Sequence, residues 1–203
     1  MKQGKFIVVE GIDGSGKTGL VRFVCAELQK IRYSVTMTHE PGSKIEPYIR
    51  GLFKREGGPP SADEMTTMFT ADRLMHMEQT IRPALARGIS VLDDRHKLST
   101  LVYQTVSGAD PDLVEKLVAI PQPEPDLTVI LDLDPEVARA RMVSRNPKLD
   151  AYERELGKQT RMRELYMKHR NRFGASVVVD AEQPIEVVCA EALRLIKSAI
   201  DGS

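Results

Sequence analysis

Five short apolar runs punctuate the chain: Phe6–Val9, Ser34–Thr38, Ile89–Leu92, Leu127–Leu131 and Ser176–Val179. Each is rich in β-branched residues and stops at a polar or acidic one, the pattern of a buried strand. Between them apolar positions recur at helical spacing. Lys17–Arg32 carries Leu20, Phe23, Val24 and Leu28 on one face. Ala62–Arg87 carries Met65, Met68, Phe69, Leu74, Met77 and Ile81, with Pro83 expected to kink its end. Ser61 with Glu64 reads as a capping box, and Asp134-Pro135-Glu136 as an N-cap followed by proline at the first helical position. A last helix is expected from about Pro184 to Ile200. Strands alternating with helices predict an α/β fold, a five-stranded parallel sheet sandwiched by helices. Ligands gather at the carboxyl ends of such strands. The segments Glu10–Thr18, His39–Lys44, Asp93–Lys97 and Asp132–Asp134 should therefore converge on one crevice.

Composition narrows the partners. The 203 residues suffice for one domain, expected over residues 1–203. Basic and acidic residues balance at 29 each, so no global field calls for nucleic acid or an anionic membrane surface. Cys25 and Cys189 lie in amphipathic segments without metal-ligand spacing, which predicts buried, reduced thiols and a cytoplasmic setting. No apolar stretch approaches the roughly 20 residues of a membrane span, and Met1–Lys5 runs straight into the first strand without a signal-peptide pattern.

The first chemistry-bearing motif directly follows the first strand. Gly11-Ile12-Asp13-Gly14-Ser15-Gly16-Lys17-Thr18 fits G-x-x-x-x-G-K-[ST]. A strand that stops at glycine and restarts as a helix aims several backbone N–H groups at one point, and glycines let the loop wrap a phosphate closely. Lys17 then reaches the β- and γ-phosphates while the Thr18 hydroxyl ligands Mg²⁺. The motif implies a nucleoside triphosphate site.

Four further clusters follow later strands and helices. Glu40-Pro41-Gly42 forms a turn that holds Glu40 toward the crevice, and a helix over Lys44–Phe53 brings Arg50 to an anion-facing position. Each of these alone reads equally well as solvated surface. Phe69 and Arg73, four apart on a helix, suit a planar base with a polar edge, though an aromatic at that spacing also suits a core. After the third strand, Asp93 and Asp94 compete as the acid on the Mg²⁺ side, and Arg95 beside them can clamp an acceptor phosphate bidentately. Ser99 and Tyr103, again four apart, share the face looking back into the site. The last cluster is basic: Arg139, Arg141, Arg145 and Lys148, then Tyr152. Arg139 reads as a solvated helix residue. Arg145, ahead of Asn146-Pro147, reads as the mobile arginine that neutralises a transferring phosphoryl group.

Taken together, these clusters resemble the thymidylate kinases, P-loop kinases that phosphorylate dTMP with ATP. The likeness runs from Phe6 to about Phe173. Phe6 to Thr18 is similar to the family's opening strand and P-loop, Glu40-Pro41-Gly42 to its Arg-Glu-Pro-Gly segment, and Phe69 to Arg73 to its Phe-x-Ala-Asp-Arg helix. Asp94-Arg95-His96-Lys97-Leu98-Ser99, continuing to Tyr103-Gln104, resembles its Asp-Arg-Tyr/His segment. The chain departs from the pattern at His39, Ser43-Lys44, Val102, Thr105 and Gly19, and Val106-Ser107-Gly108-Ala109 replaces a Gly-x-Gly-Arg stretch.

The resemblance implies a P-loop NTPase fold with a short lid at about 142–152. It implies that Asp94 with Thr18 holds Mg²⁺, that Gly11 to Thr18 and Arg141 hold ATP, and that Lys17, Arg95 and Arg145 are catalytic. The loop positions Ile12, Asp13 and Ser15 contain no arginine, so the lid-arginine type, with Arg145 in Val143-Ser144-Arg145, is the nearer likeness. The acceptor side is implied to comprise Asp13, Glu40, Arg50, Phe69, Arg73, Arg95, Ser99, Tyr103 and Tyr152. A homodimer through Ala62–Arg87 is implied as well, although the methionines Met65, Met68, Met75 and Met77 on that helix equally suit core packing. The alternatives are a kinase for another deoxynucleoside monophosphate or a deoxynucleoside, with Glu40 as base, and a non-catalytic nucleotide-binding regulator.

Overall fold

A computed structural model describes residues 3–54, 58–145 and 156–202. Its strands are β1 (Phe6–Glu10), β2 (Val35–His39), β3 (Ser90–Asp94), β4 (Leu127–Asp132) and β5 (Ser176–Asp180). They form one parallel sheet in the order β2-β3-β1-β4-β5. The ladder carries on past the apolar runs, pairing Val9 with Asp94 and His39 with Asp94. Glu10, Asp93 and Asp94 therefore stand on the sheet itself, where the pleat fixes their direction. The expectation of five buried strands holds for β1 and β3 but not for the edges. In β2 only Val35 is buried and in β5 only Val179, because an edge strand lacks a neighbour on one flank.

The helices are α1 (Lys17–Lys30), α2 (Glu46–Leu52), α3 (Ala62–His76), α4 (Arg82–Ala86), α5 (Lys97–Val106), α6 (Pro111–Val118), α7 (Pro135–Arg145), α8 (Leu156–His169) and α9 (Ile185–Asp201). The capping box at Ser61 and Glu64 is present in both directions. Asp134 Oδ1 accepts from the Glu136 N–H at 2.7 Å and starts α7 as expected. In α1 the buried stripe is Leu20, Val21, Val24, Cys25 and Leu28, whereas Phe23 lies off it, 40% exposed. The expected kink before Pro83 is a π-helical turn, Met77–Ile81, joining α3 to α4. Proline lacks an N–H and crowds the carbonyl four residues back, so the widened turn relieves the ladder just ahead of it.

Alternation along the strands sends successive residues into different packing. Val91 joins Phe6 and Val8 against Met77, Ile81, Ala84 and Leu85, while Leu92 joins Ile7 and Val9 in the cluster that includes α1. By the same pleat Asp93 continues the Val91 side and Asp94 the Leu92 side. Cys25 and Cys189 are buried and free. Among the described residues no helix is long and apolar enough to cross a membrane.

Candidate active site

The loop between β1 and α1 is shaped by glycine where other residues would be excluded. Gly14 has φ +85°, and a Cβ there would stand 2.5 Å from the Ala138 carbonyl oxygen, so the loop touches the backbone of α7 directly. Gly16, left-handed at φ +96°, caps α1. Lys17 is buried and folds back onto the loop, its Nζ donating to the Gly11 carbonyl at 2.9 Å and the Ile12 carbonyl at 2.8 Å. Burial, then the nearby Arg95 guanidinium, pulls its pKa down to about 8. Thr18 Oγ1 donates to Asp94 Oδ2 at 2.5 Å, and Asp94 Oδ1 is buried with no hydrogen-bond partner among the described residues. A hydroxyl beside a carboxylate oxygen with unused lone pairs fits the all-oxygen ligand set of Mg²⁺. Asp93 makes no such contact with α1, because the pleat turns it to the other side.

Arg95, just past β3, reaches the same loop from the opposite direction. Its Nη2 pairs with Asp13 Oδ1, its Nη1 donates to Ser99 Oγ at 3.2 Å, and its guanidinium lies 4.8 Å from the centre of the Tyr103 ring. Tyr103 Oη donates to Asp13 Oδ2 at 2.7 Å. The Arg95 backbone has φ +81°, a left-handed value costing a non-glycine residue about 1–3 kcal/mol. Glu10 makes that conformation tenable. Its carboxylate accepts from the backbone N–H groups of His96 and Ser99 at 2.8 and 3.0 Å, from Ser99 Oγ at 2.6 Å and from Tyr166 Oη at 3.2 Å. From sequence Glu10 read as the polar stop of a strand at the crevice, with no role of its own. The available signal was a carboxylate ending the central strand of the sheet.

Below Arg95 opens a cavity of about 310 Å³. Asp13, Glu40, Arg50, Phe69, Arg95, Ser99 and Tyr103 all line it, so seven residues singled out from sequence meet there. Sequence reasoning did not single out Phe53, Asp72, His96, Thr100 or Gln104, which line it too. Asp72 accepts from the backbone N–H groups of Gly42 and Ser43 at 2.8 and 3.0 Å and so fixes the Glu40-Pro41-Gly42 turn. Glu40 Oε1 lies 2.9 Å from His96 Nδ1, and burial pushes its carboxyl up to about 8 although Arg73 works against the shift.

Other residues sit differently from the sequence expectation. Arg73 does not line the cavity. It is fully buried, donating to Thr100 Oγ1 at 2.7 Å and Gln122 Oε1 at 3.2 Å, with Nη2 unpartnered among the described residues. Arg50 lines the cavity rim but is mostly exposed, and its Nε is held by Glu46 at 2.7 Å. Asp132–Asp134 does not join the crevice. Asp132 takes Arg163 of α8 bidentately at 2.7 and 2.8 Å, and Asp134 caps α7, so both hold helices to the sheet. Arg141 donates to the Ala181 carbonyl at 2.9 Å. Met65 and Met77 are buried within the chain, which leaves Met68 and Met75 as the outer part of that methionine set. Arg145 is the last residue of α7. Lys148, Tyr152 and positions 146–152 of the expected lid lie outside the described residues.

A cradle for a polyphosphate thus shares Asp13 and Arg95 with an adjoining cavity, an arrangement suited to moving a phosphoryl group between two bound molecules. Comparison with known proteins agrees. The family model for thymidylate kinase matches residues 9–192. A thymidylate kinase of Hahella chejuensis is 39% identical over 214 aligned positions, covering 100% of both chains. A probable thymidylate kinase of Archaeoglobus fulgidus is 34% identical over 196 residues and covers 96% of each chain. One from Nitratidesulfovibrio vulgaris is 35% identical over 208 residues, covering 96% of this chain and 93% of its own.

The depressed Lys17 pKa has a measurable consequence. A bound polyphosphate supplies negative charge that restores the ammonium form, so above about pH 8 binding must take up a proton. Affinity for ATP is expected to fall by up to about tenfold per pH unit above that value. Titration calorimetry in buffers of different ionisation enthalpy checks this. Proton uptake should appear above pH 8 and vanish well below it; equal uptake on both sides contradicts the assignment.

Proposed function

The chain belongs to the thymidylate kinase family, and we propose that it phosphorylates dTMP to dTDP with ATP as the donor, using Lys17, Arg95 and Arg145 as its catalytic cations. The observation that carries this reading is the shared Asp13–Arg95 pair, which puts an acceptor-side guanidinium against the donor loop. On this reading the loop N–H groups and Lys17 take the triphosphate, with Lys17 released from the Gly11 and Ile12 carbonyls. Arg95 turns its fork from Asp13 to the acceptor phosphate. Asp13, relieved of Arg95, stays near Tyr103 and faces the sugar. Phe69 offers a ring for the base to stack on, while Arg73 stays behind the wall and holds Thr100, which lines the cavity. Thr18 and Asp94 would hold Mg²⁺, which when bound neutralises charge on the β- and γ-phosphates.

No strong base is needed, since a phosphate monoester is already a nucleophile, and positioning with charge neutralisation carries the reaction. Arg145 ends the helix that touches Gly14, so closure of the lid at about 142–152 would bring it over the γ-phosphate. A homodimer through residues 62–87 and a cytoplasmic setting complete the reading. The two buried, free cysteines support the latter.

The experiment for the substrate is an ATP-consumption assay across dTMP, dUMP, dCMP, dGMP and thymidine with identification of the product. dTDP from dTMP is expected as the dominant product; ATP binding with no turnover of any acceptor contradicts the proposal. For the lid, Arg145→Ala is expected to lower kcat on the order of a thousandfold while leaving dTMP affinity nearly intact. An unchanged kcat removes Arg145 from the mechanism.

A further inference from the structure

Beside the cavity three groups face one another: Glu40 after β2, the fully buried Asp93 on β3 and His96 before α5. One ligand atom from each lies within 4.8 Å of the other two. His96 Nδ1 stands 2.9 Å from Glu40 Oε1 and 3.8 Å from Asp93 Oδ2. Asp93 is fully buried, and neither of its oxygens accepts a hydrogen bond among the described residues. A carboxylate in that position is costly unless a cation or a proton satisfies it. Arg73, the guanidinium acting on Glu40, donates to Thr100 and Gln122 instead. The imidazole of a histidine is the commonest side-chain ligand for such cations.

We propose that Glu40, Asp93 and His96 form a binding site for a divalent transition cation of the zinc class, separate from the Thr18–Asp94 oxygens on the other side of β3. Ligand atoms around a four-coordinate zinc stand about 3.3 Å apart. The two distances to His96 Nδ1, 2.9 and 3.8 Å, bracket that spacing, so side-chain adjustments of about half an ångström admit the ion. One imidazole with two carboxylates favours zinc, cobalt or a similar ion over magnesium. Glu40 and His96 also line the cavity, which gives an entry path and leaves a fourth position for water. A bound ion ties the turn after β2 to β3 and to the turn that carries Arg95, and so stiffens the acceptor wall.

The test is a Co²⁺ titration of the chelator-stripped full chain, with Mg²⁺ in excess to fill oxygen-only sites, followed by visible absorption. The wild type is expected to develop the intense bands of four-coordinate cobalt, saturating at one equivalent and displaced by Zn²⁺, which should also raise Tm. Asp93→Asn is expected to lose the bands or weaken binding at least about tenfold, with Asp93→Ser as the second variant should the first fail to fold. Weak six-coordinate bands in the wild type overturn the proposal without any variant. Cobalt binding by Asp93→Asn equal to the wild type overturns it too, and leaves a cluster satisfied by shared protons.

Discussion

Arg95 leaves the sheet with φ +81°, pairs with Asp13 of the donor loop, and in doing so joins the two halves of the site. A left-handed arginine persists only where its surroundings over-determine it. Glu10 does so from the end of the central strand by accepting two backbone N–H groups and two hydroxyls around the start of α5. Burial pushes the Glu10 carboxyl up, and the hydrogen bonds from Ser99 and the field of Arg95 oppose that rise. A carboxylate so supplied with donors holds α5 in register, and with α5 come Ser99, Thr100 and Tyr103. The Asp13–Arg95 pair then positions the guanidinium against the donor loop.

The pleat of β3 gives the site its second organising rule. Asp93 and Asp94 are adjacent in the chain yet serve opposite sides of the sheet. Asp94 meets Thr18 at the start of α1, and Asp93 meets Glu40 and His96 near the acceptor cavity. One residue of register would exchange them and turn the donor-side acid away from the loop. Glycine at position 14 adds a third link, since backbone contact with Ala138 couples the donor loop to the helix ending at Arg145.

Apolar runs bounded by polar stops located all five strands, because central parallel strands need continuous burial. The same logic overstated β2 and β5, whose edge position shows only in the strand order. The loop from Gly11 to Thr18 was legible because glycine and lysine at fixed spacing leave few other uses. Phe69 and Tyr103 were legible from their four-residue spacing to Arg73 and Ser99. Arg73 and Asp132 were not placed correctly. Spacing says which side chains share a face but not how deep each lies or which distant partner takes it, and Thr100 and Arg163 took these two. Glu10 and His96 fell within segments expected at the crevice and Asp72 within the Phe69–Arg73 motif, but none was given a role, for the same reason. Their roles are made by contacts across 86, 30 and 56 residues of chain.

The account rests on Arg95 as a forked acceptor clamp rather than a general positive charge. Replacing it by lysine keeps the charge and removes the fork, so Arg95→Lys examined by titration calorimetry with dTMP and with ATP is the most direct measurement. The account predicts a Kd for dTMP raised about tenfold or more, from the loss of a bidentate charge-assisted contact, with the ATP Kd within about twofold of wild type. Unchanged dTMP affinity in a folded Arg95→Lys protein would contradict it.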